Sequence, residues 1–311
     1  MSVAVAKTMS LAEPDLRRIR SADGAVELAA WCYGDPHSNA ACLLLHGNGL
    51  PARCYEPVIR TLCAAGLYVV ALDQRGSGHS PLPRHGRADL HWSHFGDDVL
   101  AVIKALALQT RTRPLYGFGH SLGGAACLLA EEKQPGTFDA LFLFEPVAAP
   151  DAQAGEPHPW DKPLSVLVKT ALKRRADFPS RAAAKELYAS KPPLSYLSPE
   201  CLDLYVMHGF EERKGGSITL RCRPETESEI FRLGPQAGIQ SQLGRVACPV
   251  TVALGGRDIH DGPASVAPAV ASKVCRGKQQ LFTAQGHFGP LEDPDGVAVA
   301  ALACFGAHAR L

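Results

Sequence analysis

A charge excess of either sign is missing from this sequence: 32 Lys and Arg stand against 31 Asp and Glu in 311 residues. A chain so balanced offers no electrostatic argument for nucleic acid or an anionic membrane surface, and no nucleic-acid-binding module signature supplies one. No apolar run approaches the roughly 20 residues of a membrane span, so stable membrane insertion is not expected. The first 20 residues lack the apolar segment of a signal peptide. None of the ten cysteines stands in C-x-x-C spacing. Several lie inside apolar runs, such as Cys42 in "ACLLL" and Cys248 in "CPVTVAL", and read as buried free thiols in a reducing compartment. No His/Asp/Glu cluster has metal-ligand spacing, so neither a metal nor another cofactor is expected. Internal repeats and long low-complexity segments are absent too. Together these absences predict a soluble, cytoplasmic protein acting on a small molecule. The last three residues, Ala309-Arg310-Leu311, resemble the S-K-L peroxisomal address and would redirect a eukaryotic protein there.

What is present is a βα rhythm, with 46% hydrophobic residues to build a core. "LRRIRSADGAVELAAWCYG" predicts two strands around the turn Asp23-Gly24. Apolar runs at 41–45, 67–73, 114–119, 140–146, 248–258 and 278–284 predict buried strands. Between them, 54–66, 91–109 and 122–134 have helical spacing, as do 261–274 and the final stretch from 295. Strands alternating with helices imply a mostly parallel sheet covered on both faces. From about Pro150 to Arg245 the texture is Pro-broken, charged and helical, with no sustained strand run. The expected organisation is therefore an α/β core, 1–149 and 246–311, carrying a helical cap or lid, 150–245.

One stretch carries the chemistry. In "PLYGFGHSLGGAACLLA", Ser121 sits between Gly119 and Gly123, after an apolar strand and before a small-residue helix. That strand–turn–helix setting is what a nucleophile elbow requires: the flanking residues must have no bulk where strand and helix approach. A serine hydroxyl needs a base. His287, in "QGHFGP" just past the last predicted strand, is placed to be it, whereas His120 beside the serine would line the elbow. The base needs an orienting carboxylate. Asp258 closes the strand "CPVTVALGGRD" and is the first choice; Asp261 and Glu145, the latter at the end of "ALFLFEP", compete with it. An oxyanion hole would form from the amide of Asn48 in "LLLHGNGLP", with Gly49 close behind, together with that of Leu122. The loop "LDQRGSGHSP" with Arg75 reads as scaffold near the elbow. A histidine base predicts activity that falls as pH drops below about 6.5.

These blocks, HGNG at 46–49, DQRGSGHS at 73–80, GHSLGG at 119–124, GGRD at 255–258 and QGHF at 285–288, occur in the order usual for the α/β-hydrolase superfamily, which the chain resembles over most of residues 20–305. The segment from Arg175 to Phe231 resembles the lid of a subgroup that includes a yeast peroxisomal lipase and fungal toxin-biosynthesis hydrolases. The resemblance implies ester hydrolysis through an acyl-enzyme on Ser121. Relatives that cleave haloalkanes or epoxides carry an aspartate where Ser121 stands, which argues against those reactions. A thioesterase, an acyltransferase, a carbon–carbon bond hydrolase or a non-catalytic receptor could share the same residues. Residues 160–223 hold 12 Lys/Arg against 7 Asp/Glu, which suits either a solvated helix surface or an acidic substrate such as a coenzyme A thioester. The aromatics Trp160, Phe178, Tyr188, Tyr196, Tyr205 and Phe210 could line an acyl pocket or pack the lid.

Overall fold

Apolar runs bounded by turn residues become strands with both faces covered. The computed structural model describes residues 11–110, 112–149, 161–257 and 262–306. The N-terminal hairpin is β1 (Asp15–Arg20) and β2 (Glu27–Tyr33), followed by β3 (Ala40–Leu45), β4 (Leu67–Asp73), β5 (Leu115–His120) and β6 (Ala140–Phe144). Three very short strands come next, β7 (Asp177–Phe178), β8 (Phe210–Glu212) and β9 (Ile218–Leu220); β10 (Val250–Gly255) and β11 (Gly277–Phe282) complete the set. Eight of them form one sheet in the order β1-β2-β4-β3-β5-β6-β10-β11. β2 runs antiparallel to β1 and β4, and the remaining neighbours are parallel.

The period of two is visible in the packing. Leu43 and Leu45 of β3 enter one core cluster, Cys42 and Leu44 the other. On the first face lie α2 (Trp92–Ala105), α3 (Leu122–Lys133) and α8 (Gly262–Lys273); on the second lie α1 (Glu56–Ala64) and α9 (Pro294–Gly306). α3 is buried from Leu122 to Glu132, so its small residues let it lie flat against the sheet.

The segment between β6 and β10 holds α4 (Asp161–Leu172), α5 (Arg181–Ala189), α6 (Pro199–His208) and α7 (Pro224–Leu233). α5 begins where the Ser180 side chain accepts from the Ala183 amide at 3.2 Å, and α6 where Ser198 accepts from Cys201 with Pro199 at its first position. The helices match the sequence expectation. β7–β9, which pair as an antiparallel β7-β9-β8 ribbon, do not: strands of two or three residues are too short to show alternation. Nor does the segment stand apart. Ile230 and Leu233 join one core cluster; Phe178, Tyr205 and Phe210 join the other. No helix among the described residues is long and apolar enough to cross a membrane.

Candidate active site

β5 ends at His120 and α3 begins at Leu122, so Ser121 alone makes the turn. It does so at φ 53°, ψ −115°, a conformation that costs about 1–3 kcal/mol in a residue with a Cβ. The surroundings hold it there. Its amide donates to the Phe144 carbonyl at 2.9 Å, and its carbonyl accepts from Ala125 and Val147. The flanking glycines are sterically required: a Cβ at Gly119 would stand 2.6 Å from Gly124 Cα, and one at Gly123 would overlap the carbonyl oxygen of Leu45. The second clash also shows that the elbow helix and the loop after β3 touch backbone to backbone.

His287 follows β11 and reaches this elbow. Its Nδ1 donates to Oε2 of Glu145 at 2.6 Å; a carboxylate only accepts, so the Nδ1 proton is fixed on that side. The other carboxylate oxygen of Glu145 accepts the Gly255 amide at 2.8 Å. Glu145 is 1% exposed. Like Ser121 it has a positive φ, 45°. The register explains the meeting: His120 lies opposite Phe144 across the parallel β5–β6 pair, so Ser121 and Glu145 leave their strands side by side. The carboxylate on His287 is thus that of Glu145, the competitor in the sequence reading. Asp258, the first choice, and Asp261 lie outside the described residues. β10, the strand before them, stands one position further from β5 than β6 does.

His120 is fully buried and does more than line the turn. Its Nε2 faces the His287 carbonyl at 2.8 Å and its Nδ1 faces the Tyr55 hydroxyl at 2.5 Å. Nε2 therefore carries the proton, Nδ1 accepts from Tyr55, and Tyr55 Oη in turn accepts the Gly47 amide at 3.1 Å. This relay joins the loop after β3 to the loop that carries His287. Burial pushes the His120 imidazole well below the ordinary histidine range, and does the same to His46. The ring of His46 sits between the Gly47 carbonyl and the Gln74 amide. Tyr55 falls in a stretch that reads as an ordinary amphipathic helix start, and no sequence signal marks it.

The predicted oxyanion residues lie under the inserted segment. Asn48 Nδ2 donates to the Glu227 carbonyl at 2.9 Å, while its Oδ1 is buried without a partner among the described residues. Gly49 has φ 76°, and a Cβ there would stand 2.8 Å from Glu227 Cδ and 3.0 Å from Arg174 Nη1. Arg174 is ion-paired to Glu227 and donates to the Tyr205 hydroxyl. The aromatics are accounted for: Phe178, Tyr188, Tyr205 and Phe210 pack on one another, with ring centroids 5.6–6.3 Å apart. Tyr196 instead lies under the Arg257 guanidinium, and Trp160 is outside the described residues. Arg75 is scaffold, as expected. It is fully buried and bidentate to Asp98, both bonds 2.7 Å, with Asp23 at 3.0 Å. Among the described residues no group of three or more His, Cys, Asp or Glu is arranged to hold a metal ion.

Comparison with known proteins gives the family and the fold. The family model for serine aminopeptidase, S33, matches residues 36–195, just over half of the chain. The human monoglyceride lipase is 30% identical over 138 residues, 44% of this chain and 45% of that protein. The type I acyl-CoA thioesterase mpaH of Penicillium brevicompactum is 27% identical over 212 residues, 65% of this chain and 46% of that one. The chain thus spans less than half the length of the curated relatives it matches. Among solved structures, the peroxisomal α/β-hydrolase Lpx1 of Saccharomyces cerevisiae superposes with a TM-score of 0.74 at 16% identity, over 92% of this chain and 83% of that one, a likeness of fold. The chain belongs to the serine aminopeptidase S33 family of α/β-hydrolases.

Proposed function

We propose that this protein hydrolyses a carboxylic ester of a small or mid-sized molecule through an acyl-enzyme. The observation that carries the reading is the 2.6 Å hydrogen bond from His287 Nδ1 to buried Glu145, made beside a serine held at φ 53°. With Nδ1 engaged, Nε2 is the nitrogen that serves Ser121. Ser121 Oγ attacks the ester carbonyl while His287 takes its proton. The imidazolium, stabilised by Glu145, returns that proton to the leaving alcohol. Water, deprotonated by the same histidine, then releases the acid. The amides of Asn48 or Gly49 and of Leu122 would receive the oxyanion, each donor lowering the barrier by about 3 kcal/mol. The inserted segment acts as the cap: the Asn48–Glu227 bond ties it to the oxyanion loop, and its residues decide which substrate fits.

A fluorophosphonate probe should label the native chain and fail on Ser121→Ala. A folded native chain that stays unlabelled overturns the assignment. Hydrolysis of p-nitrophenyl esters from acetate to palmitate then reads the acyl preference. A thioester is the second reading, favoured by the basic excess of residues 160–223 and by the likeness to a protein named as an acyl-CoA thioesterase.

A further inference from the structure

A cleft of about 360 Å3 opens at the same sheet edge, where the loop leaving β4 meets the inserted segment. β4 stands two positions from β5 across the sheet, about 10 Å at ordinary strand spacing. Three guanidinium groups line the cleft, Arg18 from β1 and Arg221 and Arg223 from the connection between β9 and α7, against one carboxylate, Glu211. Their pairing is incomplete. Arg18 donates to the His79 carbonyl at 2.7 Å and has no ion pair with a described carboxylate. Arg221 approaches Glu211 only to 3.9 Å, and its Nε is buried without a hydrogen-bond partner among the described residues. Arg223 leans away toward Thr219 and toward Asp177 at 3.6 Å. His79, also in the lining, is pushed below its ordinary range by burial first and then by the charge of Arg221, with Asp73 opposing and Arg18 adding to the fall. Between Arg221 and Arg223 in the sequence, buried Cys222 lies against the backbone of Gly49, so the segment that carries them packs on the loop after β3.

We propose that this cleft binds phosphate on the leaving-group side of the substrate, so that the preferred substrate is a thioester or ester whose leaving group is phosphorylated. The proposal rests on Ser121 as the acylated residue. Arg18 and Arg221, with Arg223 beside them, stand against one carboxylate in the lining, an excess that matches a multiply charged phosphate better than a single carboxylate, and planar guanidiniums bind phosphate oxygens in pairs. A leaving group held here would extend from the carbonyl at Ser121 along the cap–core seam.

The test compares one acyl group carried as its coenzyme A thioester and as its N-acetylcysteamine thioester, which has no phosphate. In the native protein kcat/KM for the coenzyme A thioester should exceed the other by more than about tenfold. Arg18→Gln and Arg221→Gln should each remove about tenfold of it, the loss of one charged hydrogen bond. The N-acetylcysteamine value should stay unchanged, as should both values in Arg213→Gln, which removes charge outside the lining. Equal rates on the two thioesters, or variants that slow both alike, overturn the proposal. Inorganic diphosphate should compete with the coenzyme A thioester alone; inhibition of both substrates alike would mean that free phosphate is the ligand and overturns the leaving-group assignment. Calorimetry of coenzyme A with Ser121→Ala separates this from the catalytic reading: if neither thioester is hydrolysed, binding that is weakened by Arg221→Gln still supports the cleft, and absence of binding overturns it.

Discussion

Replacing Glu145 by glutamine changes one atom and tests the whole arrangement. In the native site both carboxylate oxygens accept, Oε2 from His287 Nδ1 at 2.6 Å and Oε1 from the Gly255 amide at 2.8 Å. A glutamine has one accepting oxygen and one donating nitrogen. If its oxygen keeps Gly255, its NH2 meets the Nδ1 proton, and the imidazole relieves the conflict by moving that proton to Nε2. An imidazole protonated at Nε2 cannot take the proton of Ser121. If the oxygen keeps His287 instead, the NH2 meets the Gly255 amide in a site 1% exposed, leaving two donors face to face, and the imidazolium still loses its counter-charge. Loss of the orienting carboxylate in a serine triad costs about 10^4 in kcat, about 5.5 kcal/mol of barrier. Glu145→Gln should therefore lose about 10^4 in p-nitrophenyl ester hydrolysis. Its fluorophosphonate labelling should slow in parallel, because attack by the serine is the step affected, while thermal unfolding reports a folded chain. Asp258→Asn should stay within about threefold of the native rate. If Glu145→Gln retains activity within about tenfold and Asp258→Asn falls by about 10^3, the reasoning is wrong and the orienting carboxylate is Asp258.

Tyr55→Phe strands the Gly47 amide and His120 Nδ1 inside the core, at a cost of about 1–3 kcal/mol in denaturant-measured stability. It should also lower kcat, since both loops of the site lose their shared anchor; unchanged kcat would make the relay purely structural. Arg75→Met leaves Asp98, 2% exposed, without its bidentate partner and should destabilise by about 3–5 kcal/mol. The double variant Arg75→Met/Asp98→Leu should recover part of that loss, and a single variant as stable as the native chain would refute the buried pair. Stability should also fall on acidification. His46 and His120 are held neutral when folded, their values pushed down from 6.5 by burial, so below about pH 6.5 the unfolded chain binds the extra protons and gains. His208, pushed down to about 4, adds to the effect in the same direction. The loss is read as a falling midpoint in urea between pH 7 and pH 5; a midpoint that rises on acidification refutes it.

How far the sequence could be read follows from what each inference needed. Ser121 needed only local information, a strand, two glycines and a small-residue helix, and the local structure is as read. His287 needed the order of elements along the chain, which the apolar runs supply. The orienting carboxylate needed the order of strands across the sheet, and that is a property of the folded topology. Asp258 and Glu145 are both preceded by apolar strands in the sequence; Glu145 leaves β6, the neighbour of β5, and Asp258 lies outside the described residues. β7, β8 and β9 escaped for a different reason, having too few residues to display a period. The cap–loop contacts through Glu227 escaped because they join residues 179 positions apart.

The shared strain of Ser121 and Glu145 follows from their register. Two parallel strands in register put their next residues side by side, too close to the sheet for a side chain that must clear its edge. At Ser121 the chain turns at φ 53° while the amide of the same residue still completes the ladder to Phe144. At Glu145 it turns at φ 45°, with the buried carboxylate held by His287 and Gly255, while its amide completes the ladder to Ala253. Each turn costs about 1–3 kcal/mol. A strained backbone serving only as a connection could relax with little loss; here relaxation at Glu145 would withdraw its carboxylate from His287 Nδ1. The pairing of strain at neighbouring strand ends thus supports the meeting of Glu145 with the elbow, and it comes from backbone angles rather than from the hydrogen bond it explains.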